Sequence, residues 1–243
     1  VSTPVEPYAV GVVLAAGMGT RVGADGNKAY LQVAGLSMVS WSLDTLDRCA
    51  DVARVVLVFR RGERELAETT VRRELPAAAV EFVEGGDSRH ASENNVLRYL
   101  AADIDSGAVD AVLIHDAARP VAELDMFATA LAVAREFGGA IPALAVPDVV
   151  WATGAEIAAM SGAGAPVRVQ TPQAFQAGPL LHAYRAADRD GFEGTDTSSC
   201  VEAYTDVEVR TFPGEPRNLK VTYARDIAVA ERLLIDRAQR PRR

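Results

Sequence analysis

Three features of this 243-residue chain predict an α/β fold, with a mostly parallel twisted sheet and helices on both faces. First, its strongest apolar runs are continuous rather than alternating: Val10-Gly11-Val12-Val13-Leu14-Ala15, Val55-Val56-Leu57-Val58 and Ala111-Val112-Leu113-Ile114. Strands buried on both faces read this way. Second, segments of helical periodicity separate these runs. Third, the connections are short. Strands that alternate with helices argue for parallel pairing through crossovers.

The elements follow in order. Residues 10–15 form the first strand, and small residues follow it at Gly17 and Gly19. Residues 36–50 have helical periodicity, 54–59 form a second strand, 63–75 a charged helix and 80–83 a short strand. Residues 92–102 form a helix with Val96, Leu97 and Leu100 on one face. A third strong strand at 108–114 leads to an Ala-rich helix at 124–137 and a strand at 140–146. Residues 148–168 differ: Gly154, Gly162, Gly164 and Pro166 interrupt weak strands, which reads as a protruding hairpin or arm. A helix at 180–189, a strand at 207–212 and a helix at 224–237 complete the chain. The expectation is one domain over 8–237, with an arm at 147–168 and a basic tail at 238–243.

Composition narrows the function. Apolar residues make up 49% and charged residues 24%, which is enough to build a core rather than a disordered chain. The formal charge of −8 disfavours a broad nucleic-acid surface. Only two of the basic residues are lysine, Lys28 and Lys220; the rest are arginine. Cys49 and Cys200 make neither a disulfide framework nor a Cys-based zinc site, and they read as core thiols in a reducing cytoplasm. No apolar run approaches the roughly 20 residues that span a bilayer. The first ten residues lack the basic start and apolar middle of a signal peptide.

Ligands of open α/β sheets bind beyond the carboxyl ends of the strands. The segments after Leu14, Val83 and Ile114 are therefore the ones that carry chemistry. After Leu14 come Ala15-Ala16-Gly17-Met18-Gly19-Thr20-Arg21 and then Lys28. Small residues let backbone N–H groups approach a phosphate chain, and two cations stand beside them. The Gly-Lys-Ser/Thr ending of a P-loop is absent, and no acid ends the second strand as in a dinucleotide fingerprint. After Val83 come Gly85-Gly86-Asp87-Ser88-Arg89-His90-Ala91-Ser92. Asp87 and Ser92 offer polar groups to a base edge, or Ser92 caps the next helix. After Ile114 come His115-Asp116-Ala117-Ala118-Arg119. Asp116 suits Mg²⁺ beside phosphates, and Arg119 suits a phosphate fork or a salt bridge to Asp116. His115 is read as a hydrogen-bonded core group. Three further clusters are Gln170-Thr171-Pro172-Gln173-Ala174-Phe175, Gly194-Thr195-Asp196-Thr197-Ser198-Ser199 and Asn218-Leu219-Lys220-Val221-Thr222. The first two also read as helix caps.

These six motifs, in this order over about 10–234, resemble the 2-C-methyl-D-erythritol 4-phosphate cytidylyltransferase family. The resemblance implies a nucleotidyltransferase, Rossmann-like fold and a homodimer joined through a β-arm. It also implies CMP transfer from CTP to 2-C-methyl-D-erythritol 4-phosphate with Mg²⁺, releasing pyrophosphate, in non-mevalonate isoprenoid synthesis. By resemblance, Arg21 and Lys28 are the catalytic cations. Ala15, Ala16, Gly17, Gly19, Gly86, Asp87, Ser92 and Asp116 bind CTP. Arg119, Asp148, Thr171, Thr195 and Lys220 surround the acceptor, and Asp116 is the metal ligand.

The chain departs from the family pattern at several points. Asn27 replaces the proline before Lys28, a change expected to loosen the loop. In the arm, Asp148-Val149-Val150-Trp151 stands where Asp-Thr-Ile-Lys is usual, and Gly162, Ala163 and Gly164 where an arginine is expected. Thr197 replaces an aspartate. The nucleotide side is thus nearly complete and the acceptor side eroded. Two alternatives follow: a cytidylyltransferase for another polyol phosphate such as ribitol 5-phosphate, or a catalytically silent nucleotide-binding protein.

Overall fold

The computed structural model describes residues 6–17, 26–146, 150–153, 156–159 and 166–239. The first strand, β1 (Tyr8–Leu14), lies inside the main sheet, next to its central strand. It pairs in parallel with β4 (Val52–Phe59) on one side and β6 (Val109–Asp116) on the other. The strand β5 (Val80–Glu84) adds in parallel to β4 and ends the sheet there. Beyond β6 the pairing changes sign. The short β11 (Gln173–Gln176) is antiparallel to both β6 and β7 (Gly138–Ala145). Another short strand, β10 (Val167–Val169), is also antiparallel to β7, and β12 (Glu208–Pro213) is parallel to it. The sheet is therefore mostly parallel, with a local antiparallel insertion.

The continuous apolar runs have the predicted consequence. In β1, Ala9 and Val13 face one core, and Val10 and Val12 face the other. The first core receives α1 (Met38–Asp47), α2 (Arg64–Glu74) and α4 (Leu124–Phe137). The second receives α3 (Arg89–Asp105), α5 (Ala177–Asp190) and α6 (Thr197–Tyr204). A smaller cluster forms where Val33 and Met38 meet Ala230 and Leu234 of α7 (Ala224–Ala238). Cys49 and Cys200 are buried free thiols. Among the described residues, no helix is long and apolar enough to cross a membrane.

Several expectations need correction. Residues 36–37 are not helical: β3 (Leu36–Ser37) pairs with β2 (Gln32–Val33), and the Ser37 hydroxyl caps α1 by accepting from Ser40 N. The segment 173–176 is a strand rather than a cap, because its backbone completes the ladders of β6 and β7. The cluster at 194–199 does cap, but it opens α6, a helix absent from the sequence reading. There Asp196 accepts from Ser199 N at 3.0 Å and the Ser199 hydroxyl accepts from Asp196 N at 3.2 Å. The arm contains β8 (Val150–Thr153) antiparallel to β9 (Glu156–Ala159), in a sheet of their own. Residues 167–169, expected to close the arm or follow it, belong to the main sheet instead. Asp148 and Val149 lie outside the described residues.

One polar latch fixes the segment that follows Lys28. Glu74, at the end of α2, accepts from Ser37 N at 2.8 Å, the Ser37 hydroxyl at 2.7 Å and Gln32 at 2.7 Å. Burial opposes ionisation of its carboxyl, but hydrogen bonds from Arg73, Ser37 and Ser40 outweigh burial and lower its pKa to about 2. The unfolded carboxyl titrates near 4.5. The latch is therefore fully stabilising above that pH and fades as pH falls towards 2. Glu74→Gln should cost about 1.5–3 kcal/mol in urea unfolding at pH 7. The gap between wild type and variant should close at about pH 2, and a gap independent of pH would remove the ionised latch.

Candidate active site

The carboxyl ends of β1, β5 and β6 surround a cleft of about 330 Å³. Its walls include Leu14 to Gly17 after β1, Asn27 to Ala29, Gly86 to Arg89 with Ser92, Asp116 to Ala118, and Lys220. All three segments expected to carry chemistry thus meet in one place. Ala117 N donates to Leu14 O at 3.1 Å and Gly85 N to Phe59 O at 2.8 Å, so the loops leave the sheet in fixed register.

The loop after β5 requires its glycines for close packing. A Cβ on Gly85 would stand 2.5 Å from the Ala16 Cβ, and one on Gly86 would stand 2.5 Å from the Ala91 Cβ. Ser88, not Ser92, caps α3, accepting from Ala91 N at 3.1 Å. Ser92 braces the loop instead: its hydroxyl accepts from Gly86 N at 3.1 Å and donates to Ser88 O at 2.8 Å. The Asp87 side chain is 95% exposed, with Arg61 3.8 Å away.

Asp116 dominates the electrostatics. One carboxylate oxygen is bound by Arg89 and the other accepts from Lys220 Nζ at 2.7 Å. Burial would raise its pKa, but the Arg89 and Lys220 cations overcome burial and hold the carboxyl well below the usual range. Arg89 also lies 3.0 Å from Glu93 through Nε, an ion contact whose N–H is not aligned for a hydrogen bond. Glu93 is only 1% exposed; it accepts from Thr197 Oγ1 at 2.8 Å and from the Tyr184 hydroxyl. Burial pushes the Glu93 carboxyl up, against the pull of Arg89.

The two lysines meet at this cleft. Lys28 Nζ donates to Val221 O at 2.9 Å, one residue beyond Lys220. Val221 is fully buried and its N–H donates to Ala118 O at 2.8 Å. The loop expected to loosen at Asn27 lies largely outside the described residues, but Asn27 itself is well held. Asn27 is buried, and its amide nitrogen donates to Ala15 O at 2.6 Å and to Glu63 at 2.8 Å.

Of the predicted site residues, Ala15, Ala16, Gly17, Lys28, Gly86, Asp87, Ser92, Asp116 and Lys220 line the cleft. Gly19, Arg21 and Asp148 lie outside the described residues. Arg119, Thr171 and Thr195 are not at the cleft wall. Arg119 is buried and donates to Asn218 O at 2.8 Å, and Asp116 forms its salt bridges with Arg89 and Lys220 rather than with Arg119. The Thr171 hydroxyl is occupied by Asp116 N at 3.0 Å. Thr195 is exposed, just before α6. Sequence reasoning missed Arg89 and Glu93, although their i, i+4 spacing at the start of α3 was a usable signal. Tyr184 and Thr197 gave no such signal, because they reach Glu93 from about a hundred residues away.

His115 lies directly beneath Asp116 and is fully buried. Its Nε2 is 3.2 Å from Arg119 O, and a carbonyl can only accept, so Nε2 carries the proton. Nδ1 then accepts from Thr171 Oγ1 at 3.1 Å, and Thr171 Oγ1 accepts from Asp116 N. Every proton in this relay has one place. Burial, the main cause, lowers the His115 pKa to about 4 from 6.5, so the ring is neutral at pH 7. The unfolded ring binds its proton first, so stability is greatest above pH 6.5 and falls as pH drops to 4. An NMR titration should find His115 as the Nε2–H tautomer down to about pH 4. A midpoint near 6.5 would overturn the relay.

Comparison with known proteins places this geometry. A sequence model of the 2-C-methyl-D-erythritol 4-phosphate cytidylyltransferase family matches residues 9–236. The enzyme of that name from Cereibacter sphaeroides is 37% identical over 227 residues, spanning 92% of this chain and 95% of its own length. The crystal structure of the enzyme of the same name from Thermus thermophilus is 30% identical, with a TM-score of 0.67, and covers 91% of this chain and 97% of its own. The 4-diphosphocytidyl-2C-methyl-D-erythritol synthase of Anaerococcus prevotii is 24% identical but shares the fold, with a TM-score of 0.79 over 94% of this chain and 96% of its own. With six motifs in order, four of them meeting at one cleft, and a match over nearly its full length, the chain belongs to the 2-C-methyl-D-erythritol 4-phosphate cytidylyltransferase family.

Proposed function

We propose that this chain transfers CMP from CTP to 2-C-methyl-D-erythritol 4-phosphate and releases pyrophosphate. The observation that carries this reading is the convergence of Lys28, Lys220 and Arg89 with two small-residue loops on one cleft. That wall is complementary to a triphosphate. Relatives at 34–37% identity over most of the chain carry that enzyme's name, which favours methylerythritol phosphate over ribitol phosphate as acceptor.

The chemistry needs no protein nucleophile. An ionised phosphate oxygen of the acceptor forms a bond to the α-phosphorus of CTP. The bond to the bridging oxygen breaks, and its electron pair leaves with pyrophosphate. Negative charge grows on the non-bridging and leaving oxygens, so catalysis rests on positioning and electrostatics. Lys28 and Arg21 supply positive charge at the reacting phosphorus. A lysine suits this role as a compact point charge. The backbone of Ala15 to Gly17, with Gly19, holds the phosphates, and Gly86, Asp87 and Ser92 read the base. Lys220 is the acceptor-binding residue at the cleft wall, and Asp148 and Thr195 are assigned to the acceptor by resemblance to the family. Arg119 and Thr171 act from behind, through Asn218 and Asp116.

Mg²⁺ fits this site in one way. It is commonly held by one or two carboxylates together with substrate phosphates. Asp116 provides one ionised carboxylate at the cleft wall. Among the described residues, no group of three or more His, Cys, Asp or Glu is placed to hold a metal unaided. Asp116 would hold the ion jointly with CTP, and the ion when bound neutralises phosphate charge. We further propose a homodimer through the arm. Its support is the separate two-stranded sheet of β8 and β9, since an isolated hairpin is only marginally stable. A cytoplasmic setting accords with two buried free thiols.

Lys28→Ala should lower kcat by about 10²–10³-fold, in line with loss of one preorganised charge donor. Its urea midpoint should stay close to wild type, and a wild-type kcat would remove Lys28 from catalysis. Pyrophosphate release from CTP with Mg²⁺ should be fast with 2-C-methyl-D-erythritol 4-phosphate and slow with ribitol 5-phosphate or glycerol phosphate. Turnover only with ribitol 5-phosphate would replace the acceptor. Binding of CTP with no turnover on any acceptor would favour a silent nucleotide-binding protein.

A further inference from the structure

We infer that Asn27 is a positioning residue for the reaction, holding the turn that carries Lys28 against the end of β1 through a bridge to Glu63. The inference rests on the role of Lys28 proposed above.

The carboxamide of Asn27 uses both of its N–H groups and its oxygen in one orientation. Its nitrogen donates one hydrogen to Ala15 O at 2.6 Å and the other to Glu63 Oε2 at 2.8 Å. Its oxygen accepts from Ala29 N at 3.0 Å. A flipped amide would set oxygen against two acceptors and nitrogen against a donor, so the orientation is determined. Both backbone groups it satisfies are buried, with Ala15 at 3% and Ala29 at 4% exposure. Without the side chain each would lose its partner.

The bridge joins three pieces of chain. Ala15 ends the run after β1, and its N–H is tied to Val58 O of β4 at 2.9 Å. Asn27 begins the single 3₁₀ turn Lys28–Tyr30, with Tyr30 N donating to Asn27 O at 3.1 Å. Glu63 precedes α2, yet its side chain makes no capping hydrogen bond to that helix. A residue well placed to serve its own helix is turned towards the loop instead. Asn27, Lys28 and Ala15 all line the cleft. Residue 27 therefore sets the distance between the Lys28 turn and the backbone expected to hold the phosphates. Displacement of a catalytic group by about 1 Å can cost 10²-fold in rate.

The test uses steady-state pyrophosphate release from CTP and 2-C-methyl-D-erythritol 4-phosphate by the full chain. Asn27→Ala should lower kcat by about 10–100-fold with little change in either KM. In a Lys28→Ala background the same substitution should cost little more, because the group it positions is gone. Glu63→Ala should give a smaller fall in kcat. Glu63→Gln, whose amide oxygen still accepts from Asn27, should stay near wild type. An equal loss with and without Lys28, or a wild-type kcat for Asn27→Ala beside an impaired Lys28→Ala, overturns the inference. A wild-type kcat for Lys28→Ala removes the underlying reading and the inference with it. If Asn27→Ala does not fold, the Glu63 pair decides: equal kcat in Glu, Gln and Ala forms overturns the bridge.

Discussion

The buried carboxylate of Asp116 is the charge around which this site is organised. It ends the central strand β6 and is only 6% exposed. An ionised group in that position is tolerable only if paired and hydrogen-bonded. Arg89 from α3 and Lys220 from the segment before α7 supply the pairing. Three distant parts of the chain are thereby fixed to one point. Removing a single partner from such a buried set is strongly destabilising, because it leaves an uncompensated charge.

The layer beneath Asp116 has a different character. Thr171, His115 and Arg119 O form a neutral chain of hydrogen bonds, and Asn218 joins Thr171 O to the guanidinium of Arg119. These residues hold the backbone of Asp116 and the approach to Lys220. They do so without adding charge to the cleft, except for Arg119, whose cation is directed at a carbonyl. Residues expected to touch an acceptor thus serve first as supports for those that line the cleft.

The acidic balance of the chain and its cationic cleft are compatible because they act on different length scales. A net charge of −8 spread over the whole surface disfavours a long polyanion. A small polyanion responds to charges within a few ångströms, where Lys28, Lys220 and Arg89 are clustered. Placing the only two lysines on one short stretch of contacts is a tertiary fact. The ammonium of Lys28 is anchored to Val221, nearly two hundred residues away.

The sequence by itself determined the α/β alternation, the two-faced sheet and the ends of strands that would carry chemistry. Those properties follow from local patterns: continuous apolar runs such as 111–114, helical periodicity such as 124–137, and glycines at strand ends. It also determined most of the cleft lining, because Ala15 to Gly17, Gly86, Asp87 and Asp116 immediately follow or end strands. Only the tertiary structure decided how those residues are used. Asn27 looked like a lost proline, but it forms a bridge because Glu63 happens to lie opposite it. Arg119 donates to Asn218 O, and it is Arg89 rather than Arg119 that pairs with Asp116. The strand at 173–176 and the helix at 197–204 stayed hidden because their partners, β6 and β7 for one and α5 for the other, are supplied by the rest of the fold. Pairing of charges and amides across tens to hundreds of residues is set by which surfaces meet, and short-range pattern carries no record of that.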